Sequence, residues 1–580
     1  MESDVEVTDA TSQDADTDNI SGSSAKSVAY VSTIIEEFQA VLGRDISGTG
    51  DFFSLGGSSL LAVRVAAGIG TRCGKLLTLA DVLRLRTPAA IAAHLATAPD
   101  LPGHSLPAAP PGETQELSPP QHWYSQVYQG ERAATAVMSF AVELPDGTTP
   151  AMVWPALRAV VAAHDSLRTS VRPEDGRLVQ CALPDLDALL AEPAPEAPPV
   201  QPPPEERPAS RGRAPVIATS TVSGGREAVA RAAERLRAEI ETGGIALDGG
   251  PLWRAALVLG TDPGDGTGAP ATLMIVVHHL IFDGPSVPVV TGDLLSRLRD
   301  SGASRPPAAS YRDYTAWRLS RESSDTAAAQ RDWWRERLAG SPPAHHLPVR
   351  TEPDRHAGYA SGLTVPEPVR AGLATTATRL LVPASALRAA AFFLLCHALY
   401  DTDDMIIGMP VDSRDHPALD GAVGMFTNHA LLRHRMTDGE SVRELAEDVA
   451  DELVTAVEHK SHRFDLAMAV LGDRCPSGRF PISGAVINGA ELDAPPWQPL
   501  TDPVTEELSR CNRCDFQIYV ADSPGQLDIE VTHRADILSA TEGVATLRAY
   551  SALLAAVADP DPAPVHALVE RAKGVLHGDR

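Results

Sequence analysis

Six cysteines scattered over 580 residues are too few to staple a fold, so the chain reads as one kept in a reducing compartment. Cys511 and Cys514 form a CxxC, but no second pair and no histidine pair stands at zinc spacing, and no metal is expected. Positive charge is also short: 49 Lys and Arg face 76 Asp and Glu, a formal net charge of −27. Nothing in that balance would neutralise phosphates, which excludes nucleic acid as a partner. No apolar run reaches bilayer-crossing length, and Met1 leads into acidic, Ser/Thr-rich sequence that is unlike a signal peptide. The expectation is a cytoplasmic chain that does not engage membranes.

What is present is ordinary globular composition, 43% hydrophobic and 22% charged, in a length that suggests about three or four domain-sized units. Residues 1–26 lack aromatics and any apolar period and read as a disordered acidic tail. Residues 27–98 carry short amphipathic patterns, with Val28, Val31, Ile34, Ile35, Phe38, Val41 and Leu42 on one helical stripe. Thr87 followed by Pro88 marks another helix start, and the unit is expected to be a small bundle of four helices. The Pro-rich residues 99–115 read as a linker able to span about 50 Å. A second Pro-rich stretch, 192–215, lies inside what looks like one domain and is taken as a surface insertion. From 216 onward "RAALVLG", "TLMIVVHH", "ALRAAAFFLLCHALY", "DMIIGMPV" and "LDIEVTH" alternate strand and helix character, which argues an α/β architecture in two halves.

Two short stretches carry chemistry. "MIVVHHLIFDGPSV" (274–287) ends a short, β-branched apolar run in His278 and His279, followed by Asp283 and Gly284. Side chains alternate faces along a strand, so one imidazole faces the interior and the other an opening, while Asp283-Gly284 reads as a turn. "DFFSLGGSSLLAVRV" sets Gly56-Gly57 ahead of Ser58, Ser59 and an amphipathic helix, and a helix start supports an anionic group. A serine there is most often only an N-cap.

The surrounding residues go further. "DFFSLGGSSL" resembles the modification signature of peptidyl and acyl carrier proteins, a match that covers 27–98. "HHLIFDG" resembles the HHxxxDG signature of condensation domains of nonribosomal peptide synthetases, and its companions follow in family order. "LSPPQHWY" (117–124) looks like the opening motif, although it departs from Ala-Gln-x-Arg-Leu-Trp. "AHDSLRTSV" (163–171) resembles HExLRTxF with Asp165 in place of Glu, and "YRDYTAW" (311–317) resembles YxDFAxW. "IIGMPVDSR" (406–414) and "VGMFTNHALLR" (423–433) resemble IGxPVxxR and GxFVNTxxLR. "HRFD", "GRFPISGAVING", "CDFQIYV" and "VTHRADIL" continue the series in the C-terminal half.

The resemblance implies a small four-helix carrier bundle followed by an α/β condensation domain of two chloramphenicol-acetyltransferase-like lobes, 116–290 and 291–576. It implies a covalent 4'-phosphopantetheine on Ser59 and a substrate tunnel with His279 where two substrate arms meet. There a neutral imidazole takes or orients the proton of the attacking amine. His278 is then structural, Asp283 pairs with Arg414, Gly284 permits a close turn, and Arg168 is a second structural cation. The implied partners are a phosphopantetheinyl transferase, an adenylation domain or other loading enzyme in trans, and an acceptor carrier or free amine. The implied reaction is amide formation from an aminoacyl, peptidyl or acyl thioester. An epimerisation domain shares HHxxxD but usually reads HHxxxDxxSW with an EGHGR segment, and here Gly-Pro-Ser-Val follows Asp283, no EGHGR exists, and Thr169 and Asn428 favour condensation. A non-catalytic recruitment platform tends to lose the histidines, and a heterocyclisation domain replaces them with aspartates.

Overall fold

The computed structural model describes residues 29–578 apart from 58, 102–105, 111, 129, 184–216, 262–268, 301–307, 342–344, 351–356, 461–463, 465–484, 492–497 and 509–513. The expected tail 1–26, the insertion 192–215 and Cys511 therefore lie outside the described residues, while Cys514 is buried.

The N-terminal unit is a bundle of helices 29–42, Ser59–Cys73, Leu79–Leu85 and Pro88–Leu95. Its helices start where their caps dictate. Thr78 accepts from the Asp81 amide while Asp81 returns a bond to the Thr78 amide, and Thr87 accepts from Ala90 with Pro88 at the first helical position. Ile34, Phe38, Phe52, Val65, Ile69, Val82, Ile91 and Leu95 fill the interior. The ring of Phe52 lies 4.8 Å from that of Phe38.

The expected linker 99–115 is tied down at both ends. Pro99 accepts from the Leu76 amide, and the Leu101 amide donates to Gly74 at 2.9 Å, which joins 99–101 to the bundle. Leu106 is buried in the core of the larger domain, the Ala109 amide donates to Asp313 Oδ1 at 2.7 Å, and Thr114–Glu116 is a strand. Proline-rich chain docks readily because its extended backbone needs no internal hydrogen bonds, and its few free amides and one leucine found partners on the domain surface.

The first lobe is built on a sheet ordered Val137–Leu144, Ala271–His278, Trp253–Gly260, Ile217–Val222, of which only the last pair is parallel. Ala271–His278 is central and buried along its whole length, which explains its unbroken apolar run. A second, three-stranded sheet joins Thr114–Glu116, Arg177–Ala182 and Thr169–Glu174. The expected lobe boundary at 290/291 falls inside helix Ser286–Arg299, whose Val290 and Leu294 belong to the first lobe's core. The later Tyr311, Tyr314 and Trp334 join the same core, which also takes Ile406 and Phe426, so the helices between Ser286 and Arg337 straddle the seam and Gly358–Thr364 is the first strand of the second lobe's sheet. A boundary read from motif order missed this because the crossing helices carry no composition break.

The second lobe centres on a seven-stranded sheet ordered Thr427–Arg435, Asp404–Asp412, Ala485–Glu491, Phe516–Ser523, Gln526–Arg534, Gly358–Thr364, Val504–Leu508. Helix Ala384–Tyr400, buried nearly all round, packs with Val442–Glu458, Ala540–Ala558 and Val565–His577 against it. Ile406, Met425, Phe426 and Leu431 reach out of this lobe into the core of the first. Among the described residues no single helix is long and apolar enough to cross a membrane.

Candidate active site

The strand Ala271–His278 stops at the seam between the lobes. His278 pairs in register with Val137 and turns inward: Nε2 lies 2.7 Å from the Ala133 carbonyl, and Nδ1 accepts from the Leu280 amide at 3.1 Å. A carbonyl can only accept and an amide only donate, so the ring is the neutral Nε2–H tautomer. Burial pushes its pKa down to about 4, with the neighbouring His279 adding to the drop. His278 is committed to holding the turn.

His279 begins the short 3-10 turn His279–Ile281, its amide bonded to the Ala136 carbonyl at 2.7 Å. Its ring is half-buried and tilted against Tyr124, with centroids 4.7 Å apart. Nδ1 is enclosed without a hydrogen-bond partner, which leaves Nε2 as the nitrogen that an incoming group can reach. Desolvation lowers its pKa, and the backbone of His279 and Phe282 and the Asp283 charge pull the other way. The imidazole is therefore neutral at neutral pH.

Asp283 points away from this ring. Its Oδ1 accepts from Arg414 Nη2 (2.9 Å), the Ser286 hydroxyl (2.6 Å) and the Ser286 amide (3.1 Å). Oδ2 accepts from Arg414 Nη1 (3.1 Å) and the Phe426 amide (3.0 Å). With its acceptor positions filled and no exposure, this carboxylate has no room to receive a proton from substrate. Arg414 also donates to the Ala422 carbonyl and to Asp412, and stacks 4.0 Å over Phe426. Burial opposes its charge, but the carboxylates of Asp283 and Asp412 overcome this and raise its pKa. Asp283 comes from the first lobe and Arg414 from the second, so the pair is a bolt across the seam.

Gly284 is not what closes this turn. It is exposed, its φ is outside the left-handed region, and a Cβ built on it meets nothing within 4 Å. The Asp283 side chain on Ser286 closes the turn instead, so the expected need for glycine is corrected. Gly284→Ala should keep the parent's melting temperature or raise it slightly, with an effect within about 1 kcal/mol. A thermal melt showing a loss of several degrees would refute this.

The sequence motifs around the histidines act as its frame. Gln121 Nε2 donates to the Leu280 carbonyl at 2.6 Å, and Ser166 donates to that of Ile281. Asp165 accepts from the Tyr311 amide at 3.0 Å and the Arg312 amide at 3.4 Å, anchoring helix Tyr311–Ser320 by its N-terminus. Burial raises the Asp165 pKa against these bonds. Ser118 shares a 2.7 Å hydrogen bond with the Tyr311 hydroxyl, which donates to the Met425 carbonyl at 2.6 Å. Arg168 forms no ion pair among the described residues. It acts on Asp165 only through space, and its Nε is enclosed without a partner.

At the other candidate position, Ser59 is the first residue of a 15-residue helix whose first turn bears no acidic side chain. Gly56 holds φ +99°, and a Cβ on Gly57 would meet the Phe52 ring at 2.3 Å, so the approach to this helix is built on glycine. Such a helix start, without competing carboxylates, fits a phosphodiester on the serine hydroxyl. Among the described residues no group of three or more His, Cys, Asp or Glu is arranged to hold a metal ion.

A family model described as a phosphopantetheine attachment site matches residues 32–95, and one described as a condensation domain matches 218–470. The chain is a carrier–condensation didomain of the nonribosomal peptide synthetase family. Its carrier domain bears covalent 4'-phosphopantetheine. Among curated relatives, cyclosporin synthetase simA of Tolypocladium inflatum is 27% identical over 76% of this chain, and the probable non-canonical synthetase CymA of Salinispora arenicola is 28% identical over 93%. The chain spans only 3% and 7% of those relatives' lengths. In fold, the condensation domain is similar to the X-domain from teicoplanin biosynthesis (TM-score 0.62, 20% identity, covering 80% of this chain and 99% of that one). It is similar also to the first condensation domain of the calcium-dependent antibiotic synthetase (TM-score 0.59, 20% identity, covering 78% and 98%).

Several residues inside the quoted motifs meet across the seam of the condensation domain in ways the motifs do not show. Trp123 meets His429 of the second lobe edge-on at 4.6 Å and Phe464 at 5.1 Å, while Tyr124 stacks on Tyr128 at 4.6 Å. Asn428 Nδ2 donates to the Lys460 carbonyl, and Lys460 Nζ reaches Asp415 and the Asp412 carbonyl, each at 2.8 Å. Ser286 could have been found: it lies three residues past Asp283, the spacing at which a carboxylate caps a turn.

Proposed function

We propose that the condensation domain transfers an aminoacyl, peptidyl or acyl group held on Ser59 to an amine, forming an amide bond. Phosphopantetheine on Ser59 would supply the thiol that holds the acyl group as a thioester. The observation that carries this reading is the His279 imidazole: neutral, half-buried, with Nδ1 enclosed and Nε2 open. His279 Nε2 accepts a hydrogen bond from the amine N–H, which leaves the amine's own lone pair aimed at the thioester carbonyl carbon, and takes or orients the proton shed as the C–N bond forms; the C–S bond would then break, and the phosphopantetheine thiol would leave with a proton. His278, Gln121 and the Asp283–Arg414 pair fix the turn that aims it. The carrier precedes the condensation domain and is assigned the donor, so the amine arrives elsewhere, on a second carrier or free. Loading of Ser59 falls to a phosphopantetheinyl transferase and then to an adenylation domain or other acyl-activating enzyme.

The test starts with the apo chain, a phosphopantetheinyl transferase and a labelled acyl-coenzyme A. Peptide mapping should find the label on Ser59 and none in Ser59→Ala. With amines supplied free or on a separate carrier, the label should leave Ser59 and appear in an amide. Label retained in Ser59→Ala refutes the attachment site. Product gathering on Ser59 when the partner brings the acyl group makes the carrier an acceptor. Inversion or deuterium exchange at Cα without amide formation points to epimerisation.

A further inference from the structure

The carrier domain does not stand apart from the condensation domain. Helix Leu79–Leu85 lies on helix Val442–Glu458, whose Val454 and Val457 pack onto the carrier's own apolar cluster. Arg84 reaches Glu458 at 3.8 Å. Arg86, the left-handed C-cap of Leu79–Leu85, donates to the carbonyl of Leu381, the left-handed C-cap of helix Glu367–Leu380. A cation on the last carbonyls of a helix is favourable by hydrogen bond and by dipole.

We propose that this contact is the surface on which the carrier docks to deliver its cargo, with Leu79–Leu85 and Arg86 as the docking element and Val454, Val457, Glu458 and Leu381 as the receptor. The proposal rests on the functional reading above and deepens it. Three observations carry it. Helix Val442–Glu458 leads into His459 and Lys460, whose carbonyl accepts from Asn428 in the site, and Phe464, four positions on, meets Trp123 there. Arg86 also clamps both oxygens of Asp51 at 2.7 and 3.0 Å, and Asp51 opens the loop that leads to Ser59, so one guanidinium joins the receptor to the attachment loop. The tether is short. Leu101 is bonded into the carrier and Leu106 is buried in the condensation domain, which leaves five residue steps, about 18 Å of fully extended chain.

The surface is weak by construction. Among the described residues the contact shows two half-buried valines, one long ion pair between exposed side chains and one hydrogen bond, too little to hold separate proteins together. On a short tether the same contact is intramolecular, and its effective concentration keeps it occupied while it remains releasable.

The test is the double variant Val454→Lys/Val457→Lys in the full chain. Lysines there repel Arg84 and Arg86, and both valines sit on the outer face of their helix, so the second lobe should still fold. Two readouts are taken: hydrogen–deuterium exchange of the 79–85 segment, and transfer to an amine from Ser59 or from a soluble acyl thioester that needs no docking. Expected are faster exchange at 79–85, a loss of at least about tenfold in transfer from Ser59, and transfer from the soluble thioester within about twofold of the parent. Unchanged exchange means the surface is not used, and unchanged transfer from Ser59 means it does not deliver. Equal loss with both donors places the damage at His279 and refutes the docking role. A parent that makes no amide from either donor removes the functional reading and the delivery role together, while the exchange result still decides whether the surface exists.

Discussion

His279→Ala should cut the rate of amide formation by about 10²–10⁴ and leave the melting temperature nearly unchanged. The size follows from what the ring does: it is the one neutral acceptor with a reachable nitrogen at this turn, and an alanine offers the amine neither a hydrogen bond nor a proton acceptor. The stability expectation follows from its setting. His279 is half-buried and its Nδ1 bonds to nothing, so removing the ring strands no partner. His278 differs, since its loss would orphan the Ala133 carbonyl and the Leu280 amide. The pH profile gives a second check. Desolvation lowers the His279 pKa from 6.5, so the working neutral form persists as pH falls through 6.5. The acid limb of the rate against pH should therefore have its midpoint below 6.5 and vanish in His279→Ala. Single-turnover transfer from Ser59 measures both. Near-normal transfer by the variant, or an acid limb centred above 6.5, would make the imidazole a bystander.

Asp283→Ala should destabilise the condensation domain by about 3–5 kcal/mol, the usual cost of stranding one half of a buried ion pair. Arg414 would keep Asp412 and the Ala422 carbonyl but lose both bonds of its bidentate partner, and the Ser286 and Phe426 amides would lose their acceptor. Because the pair joins the two lobes, the loss should also loosen the seam where His279 sits. Asp283→Ala/Arg414→Met should be less damaged than the sum of its single variants, since an apolar replacement of both ions leaves no orphaned charge. Denaturant melts of the four chains provide the cycle. An Asp283→Ala chain as stable as the parent, or strict additivity in the cycle, would overturn this account of the bolt.

Much of this is legible in the sequence. The strands at Trp253–Gly260, Ala271–His278, Asp404–Asp412 and Gln526–Arg534 and the helix Ala384–Tyr400 lie where their apolar runs lie. They are legible because each is central and buried on more than one side, and such an element carries its burial in its own composition. Thr87 and Pro88 marked a helix start for an equally local reason. The lobe boundary was misplaced because helix Ser286–Arg299 is amphipathic like any other, and only its packing partner shows which lobe owns it. Gly284 was misjudged because a glycine after an aspartate in a turn does not reveal its own φ.

Local sequence carries the elements and the chemical inventory: a serine at a glycine-prepared helix start, two histidines at a strand end, a carboxylate beyond them and an arginine far downstream. These depend on local propensity, on period and on short motifs, all of which are written within a few residues. Tertiary structure alone decided which imidazole is enclosed by which neighbours, that five donors saturate Asp283, that the Pro-rich linker is pinned to a short tether, and that Arg86 touches both the attachment loop and the second lobe. Each of those depends on residues far apart in the chain, 131 positions for Asp283 and Arg414 and 295 for Arg86 and Leu381. No local pattern encodes such a distance, because it is set by how whole sheets and helices stack.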